Sequence, residues 1–436
     1  STIMSPVTLE GKGAAFEAVI GRAVVYDHLY NDRGHATIHS TNGMGFSPYS
    51  VDVAFTVTFP QGYQEGVVAV YEANGGLSSD PTAAVITKVL LNPASGVVNG
   101  PQACPGSVRS PDYWNKFISN PPNIMRAEQV YCANLKGNWT QQSLVVAHEI
   151  TGGGPTFTSV FVFDKITSDH PVLLFSSRHM LHGEAQISAI NSLMIAYADP
   201  NSFVNSGKSD INLVKDVSAE YAWFESRSDF ELVPFPGIFP DLARYQAEQA
   251  QLAVNQGHQS WRNDPEMVAR SLATTLLKWS PNSQTTLISG GSGLVEAQVR
   301  VRSESPGHPT INVMLGHLDM NTHNIWEVTD VDNSVQQMIS NPTGATLVES
   351  PLAVTGSGSA FEGDVGTVYL YDRFYNVIGQ AKCAPATGMG YTTFTATIHY
   401  NSSLPGGVQQ GILAYYTRSM ADGSISGVVM HSALIS

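Results

Sequence analysis

Apolar and polar positions alternate with a period of two along much of this chain. Tyr49, Val51, Val53 and Phe55 are two apart, and so are Phe394, Ala396, Ile398 and Tyr400. Val295, Ala297, Val299 and Val301 interleave with Glu296, Gln298, Arg300 and Arg302. That spacing belongs to strands with one buried face. Further strand-like runs fall at 143–146, 156–163, 172–175, 186–190, 193–198, 310–315 and 324–328, with Gly152-Gly153-Gly154 as a turn. Helical patterning is confined to one stretch. Residues 241–256 read as a helix with Pro240 before it and Gly257 in the stop position. A second helix opens with Asp264 as N-cap and Pro265 in its first turn, and Val268, Leu272, Thr275 and Trp279 share a face. Residues 92–122, rich in Pro, Gly, Ser and Asn, read as a linker or long loop.

The two ends of the chain repeat each other. Residues 5–34 and 350–379 align at a constant offset of 345 with 13 of 30 positions identical. Chance gives about two, so the ends are duplicated. The register continues through Gly43-Met44-Gly45-Phe46 against Gly388-Met389-Gly390-Tyr391, and through Gly66, Ala69 and Tyr71 against Gly411, Ala414 and Tyr416. A Ser-Pro pair opens each copy, where proline blocks strand extension. Phe16 and Phe361 are expected to anchor the two cores. Each copy carries enough short strands for a small two-sheet sandwich.

Ser5, Pro6, Gly11, Ala15, Phe16 and Glu17, and again Ser350, Pro351, Gly356, Ala360, Phe361 and Glu362, resemble the Gmad2 immunoglobulin-like domain family. Glu72 follows the family pattern after Tyr71, whereas the second copy departs from it with Thr417. The resemblance implies two sandwich modules of a kind found in exported and cell-surface bacterial proteins, some linked to sporulation. It brings no catalytic residues and implies an accessory, adhesive or assembly role.

The expected fold is therefore mainly β and multidomain. Immunoglobulin-like sandwiches at 1–95 and 346–436 flank a β-rich meander domain at 96–236, with a long leading loop, and an α+β domain at 237–345. Two helices followed by an antiparallel sheet make the latter similar to cystatin-like or NTF2-like domains.

Composition narrows the role. The 436 residues carry 22 Lys+Arg and 36 Asp+Glu, a net charge of −14, with only 13 % charged and 42 % hydrophobic residues. So few basic residues cannot lay down a phosphate-tracking surface, so no nucleic-acid partner is expected. No apolar run is long enough for a membrane span. Ser1 stands where an initiator Met would, and with the composition this leads to the expectation of an exported chain, extracellular or at the cell surface, freed of its signal peptide. Of three cysteines, Cys104 and Cys132 are the sensible disulfide pair, and Cys383 is expected to be buried.

Candidate chemistry is sparse. His179, His182 and Glu184 form H-x-x-H-x-E, but on a strand the two histidines face opposite ways. His317, Asp319 and His323 are a loose metal candidate. His148-Glu149 is half of a zinc-protease motif, with Gly152 where the second His belongs. Asp330, Asp332 and Asn333 resemble part of a calcium loop without its full pattern. Gly290-Gly291-Ser292-Gly293 lacks the Lys and the helix of a phosphate loop. Trp261 reads as an anchor between helix and sheet beside Arg262, and Asn138 and Asn401 match glycosylation acceptors.

No catalytic residue and no cofactor is expected. The expected function is that of a non-enzymatic extracellular structural or adhesive protein, self-associating as the repeating subunit of a surface filament or assembly. Few Lys and Arg leave sandwich edges lightly guarded. The N-terminal segment, with Ser1, Thr2, Ile3, Met4 and Val7, is the expected strand donor to a neighbour, and twin ends allow head-to-tail contacts. The alternative is a ligand- or saccharide-binding surface module. Its α+β domain would hold the ligand, a cell-surface polysaccharide among the candidates, in a pocket lined by Trp261, Trp279 and Trp326.

Overall fold

A computed structural model describes residues 2–15, 18–28, 30–40, 45–56, 64–72, 83–91, 102–118, 125–137, 140–149, 156–225, 227–291, 293–321, 323–332, 337–420 and 422–436. The fold is mainly β, as the alternation requires. Phe16, the Gly152-Gly153-Gly154 turn, Asn138 and Asn333 lie outside the described residues.

The N-terminal body contains β1 (Thr2–Ile3), β2 (Val7–Ala15), β3 (Val19–Asp27), β4 (Asp32–His39), β5 (Gly45–Val53), β6 (Gln64–Glu72) and β7 (Ala84–Leu91). One sheet runs β1-β7-β6-β3-β4, and β2 pairs with β5 to face it. Ile20, Ala23, Val25, Ile38, Val53, Phe55, Val68, Val89 and Leu91 fill the space between. The N-terminal segment is consumed inside this body. Thr2 and Ile3 pair in parallel with Leu90 and Leu91, and Val7 pairs with Val53. This corrects the expectation of a strand donor. Ile3 gains both a ladder and a place against the core by closing its own sheet. Met4 is exposed, and Ser1 lies outside the described residues.

The middle body is two meanders packed face to face. Its strands are β8 (Met125–Ala133), β9 (Gln142–Glu149), β10 (Phe157–Asp164), β11 (Val172–Leu181), β12 (Glu184–Ile187), β13 (Leu193–Tyr197), β14 (Val217–Phe224) and β15 (Asp229–Val233). The sheets run β11-β10-β9-β8 and β12-β13-β14-β15. Between them lie Leu144, Val146, Val160, Val162, Ile187, Leu193, Ile195, Trp223 and Phe230. The segment expected to be a loop contains a helix, α1 (Pro111–Ile118). Pro111 suits a first helical turn. Trp114 stacks 4.9 Å from Phe163 on the back of the first sheet, with Ile118 beside it in the same core. Cys104 is bonded to Cys132 on β8, which fixes the helix's leading segment to the sheet.

Two helices follow, α2 (Arg244–Asn255) and α3 (Pro265–Thr275). The Asp264 carboxylate accepts the N–H groups of Glu266 and Met267, the expected cap. Then come β16 (Gln284–Gly290), β17 (Glu296–Arg302), β18 (Thr310–His317) and β19 (Trp326–Asp332). The C-terminal body adds β20 (Met338–Asn341), β21 (Thr346–Val348), β22 (Leu352–Ala360), β23 (Thr367–Tyr371), β24 (Val377–Lys382), β25 (Ala384–Pro385), β26 (Gly390–Ile398), β27 (Gln409–Arg418) and β28 (Ile425–Ile435). The expected boundary at 345/346 does not divide the sheet. One sheet runs β16-β17-β18-β19-β28-β27-β23-β24, joined where Val331 meets Met430. Val268, Leu272, Val299, Val313 and Trp326 share a single core with Ile412, Ala414, Tyr416, Val428 and Met430. The α+β layer therefore covers the outer face of the C-terminal sandwich, whose inner core is Val354, Val368, Leu370, Phe394, Ile398, Tyr415 and Ile435. Phe361 is 48 % exposed rather than an anchor; Phe394 against Tyr415 takes that role.

The duplicated ends fold alike. Val7 opposite Val53 through Ala15 opposite Gly45 is repeated as Leu352 opposite Ile398 through Ala360 opposite Gly390. Ser5 Oγ accepts the Phe55 N–H at 2.9 Å, and Ser350 Oγ accepts the Tyr400 N–H at 3.1 Å. Asp27 Oδ1 accepts from the Asn31 N–H, and Asp372 Oδ1 from the Asn376 N–H, each at 2.9 Å. β1 on β7 matches β21 on β28.

Candidate functional site

Three arginines gather charge inside this protein, two at joints between bodies and one within the α+β layer. Each is buried and each holds two carboxylates. Arg244 begins α2. Its Nε donates to Glu220 Oε1 on β14 at 2.8 Å, and its Nη1 to Asp319, in the turn after β18. One guanidinium thus ties the middle body to the α+β layer. Its other face lies over the Phe235 ring, 5.3 Å from the centroid. Arg262, in the short 3-10 turn Ser260–Asn263, donates to Asp241 Oδ2 at 2.6 Å and to Glu327 on β19. That pairing closes the helical pair onto the sheet. Arg373, in the turn after β23, reaches Asp216 Oδ2 at 3.1 Å and Asp199 Oδ2 at 3.3 Å. It also donates to the Asp216 carbonyl at 3.1 Å and to Gln409 Oε1 at 3.0 Å. Its carboxylate partners lie in the middle body, so the C-terminal sandwich is bolted there. Neutral contacts complete the joint. Gln410 exchanges hydrogen bonds with both Phe235 N–H and Phe235 O, and Tyr375 Oη donates to Pro240 O at 3.0 Å.

One positive charge between two buried carboxylates cannot neutralise both. Burial, then the charge of Asp241, pushes the Glu327 carboxyl well above its usual range. Burial also raises Asp319 and Asp241, against the pull of Arg244 and Arg262. Glu248, one turn along α2 from Arg244, is pushed up to about 8, first by burial and then by Asp319. Its Oε1 accepts the Ala189 N–H at 3.0 Å, so it too reaches the middle body. A small cavity beside this joint is lined by Glu220, Phe235, Arg244, Tyr245, Val408 and Gln410. Glu220 Oε2 has no hydrogen-bond partner among the described residues. The chemistry of these groups is that of a charge-paired seam.

The metal candidate does not assemble. Asp319 is committed to Arg244. His317 Nδ1 lies 2.5 Å from Asn324 O and its ring stacks 3.5 Å from Trp326, while burial lowers its pKa to about 4. His323 sits by Asn321 Oδ1 at 3.3 Å. Among the described residues no group of His, Cys, Asp and Glu could hold a metal. His179 pairs with Glu149, His182 with Asp210 and Glu184 with Lys215, so H-x-x-H-x-E is dispersed over separate partners. Asp330 faces His431 at 3.3 Å. The aromatic pocket is also absent from these positions: Trp279 and Trp326 are core residues, with Trp261 packed against them. Cys383 is buried, its thiol pushed up to about 12 by that burial.

Sequence reasoning found Arg262 only as a neighbour of Trp261, and it found Asp319 in the wrong role. Arg244, Glu220, Asp199, Asp216 and Arg373 it missed. The one readable signal is within the repeat: Arg373 replaces His28 between the matched Asp27 and Asp372 and the matched Tyr30 and Tyr375.

Residues 338–424 match the Gmad2 family, described as the immunoglobulin-like domain of bacterial spore germination. The match lies on the C-terminal sandwich and does not extend to its N-terminal twin. No curated protein matches the chain. No helix among the described residues is long and apolar enough to cross a membrane.

Proposed function

We propose that this chain is a non-enzymatic structural or adhesive protein, extracellular or at the cell surface, in which twin sandwiches are presented on a stiff central body and associate with further copies. The observation that carries this reading is the arginine seam. Three buried guanidiniums each bridge two carboxylates. Two of the three do so across joints between bodies, an arrangement that resists relative movement of the parts it joins. A load-transmitting or spacing role needs that rigidity; a soluble binding module does not. The disulfide on β8 supports export, since such bonds persist in oxidising compartments. The shared ladder register supports reading the N-terminal sandwich as a second member of the same immunoglobulin-like family. Association as the repeating subunit of a filament, and contact with surface polysaccharide, belong to the same proposal.

The test is surface labelling of intact native cells with an antibody to the folded chain, followed by electron microscopy. Label on regular surface structures supports the reading. Label released only on lysis, on dispersed particles, removes it.

A further inference from the structure

The two sandwiches are twins, yet their last strands have different neighbours. On β28, Met430 lies opposite Ala414 of β27 and meets Val331 of β19 on its other side. The matching residue on β7 is Ile86, which lies opposite Ala69 of β6. Met430 is fully buried and Ile86 is 64 % exposed; Val429 is 4 % exposed and its match Val85 67 %. β1 covers β7 only at Leu90 and Leu91. Among the described residues no strand pairs with the outer edge of β7 from Ala84 to Val89. Among the described residues, the strand that continues the C-terminal sheet has no counterpart on the N-terminal sheet.

Two other edges of this protein are guarded. On β16 a bulge falls between Leu287 and Ser289, and Glu266 Oε1 accepts the Leu287 N–H at 3.0 Å. β4 carries Asp32, which binds Arg22 and His35. On the open part of β7 the only charged residue is Lys88, and it is drawn aside to Glu65 and, at 2.5 Å, to Glu296. Ala84-Val85-Ile86-Thr87 is left as an apolar edge with no partner strand among the described residues.

We infer that this edge takes a second copy of the same strand, so that two chains join β7 to β7 in antiparallel fashion about a two-fold axis at Ile86. The segment is self-complementary in that register. Ile86 meets Ile86 of the second copy, Val85 meets Thr87, and Ala84 meets Lys88, so no two lysines oppose each other. The proposal rests on the self-associating reading above and names its surface.

The experiment uses the full chain. Sedimentation velocity over a concentration series measures dimerisation of the wild type and of Ile86→Lys, which sets two like charges at the axis. Because Ile86 is exposed, the substitution is compatible with folding, checked by circular dichroism. In parallel, Ile86→Cys and a control at a remote exposed position, Ile211→Cys, are oxidised mildly; opposed strand residues have Cα atoms about 5 Å apart, within disulfide range. The expected results are a wild-type dimer, dimerisation weakened about tenfold or more in Ile86→Lys, and covalent dimer from Ile86→Cys but not from the control. Wild type and Ile86→Lys associating equally overturns the β7 pairing and leaves self-association standing. A wild type monomeric throughout overturns both. Protection of position 86 in native material by a different protein assigns the edge elsewhere and also overturns it.

Discussion

Arg373 Nη2 lies 3.1 Å from Asp216 Oδ2, across the joint between the C-terminal sandwich and the middle body. Both side chains are removed from water, and the same guanidinium serves Asp199. Removing one member of a buried charge set leaves the others without a counter-charge, at a cost of about 3–5 kcal/mol. Arg373→Ala is expected to lower stability by that amount in urea unfolding. It is also expected to separate a C-terminal transition from the rest. A single transition shifted by less than about 1 kcal/mol contradicts the clamp.

The second prediction concerns pH. Glu248 is pushed up to about 8 in the folded chain, above its ordinary value of 4.5. The folded state therefore binds a proton that the unfolded state has released between those two values. Stability from this group is fully present below about 4.5 and is lost as pH rises through 8. Glu327, Asp319 and Asp241 are raised and act in the same direction. The thermal midpoint is expected to fall between pH 5 and pH 8, and less steeply in Glu248→Gln, which mimics the neutral form. Parallel slopes for the two proteins would show that Glu248 does not titrate in this window.

The Cys104–Cys132 bridge closes a separation of 28 residues that contains α1. Chain entropy assigns such a loop ~3–4 kcal/mol. The double variant Cys104→Ser with Cys132→Ser is expected to lose about that much, with amide exchange rising first across 106–118. Unchanged exchange there contradicts a stabilising role.

Equivalent contacts in the twins should respond alike. Ser5→Ala frees the Phe55 N–H and Ser350→Ala the Tyr400 N–H. Each is expected to cost about 1–2 kcal/mol by denaturant unfolding. A loss at one end only would show that the shared ladder does not carry shared energetics.

Much of the fold was legible because strand alternation and helix caps are local. β5 and β26 appear through residues two apart, and α3 through Asp264 and Pro265. The repeat exposed both sandwiches. α1 was hidden because Pro and Ser around Tyr113 and Trp114 suggest a loop, whereas burial of Trp114 decides the outcome. The join of β19 to β28 is a contact between residues 331 and 430, for which neither strand carries a local sign. The seam was invisible for the same reason: Arg244 and Arg373 sit on turns and helix starts, and their carboxylates lie far away along the chain. The donor strand failed because Thr2 and Ile3 find their ladder within the chain.

Sedimentation velocity of the purified full chain, from dilute to concentrated, weighs the account most directly. Reversible growth of species larger than one chain, with the fold intact, is what twin sandwiches on a stiff body are expected to give. One sharp monomer boundary at every concentration would contradict it.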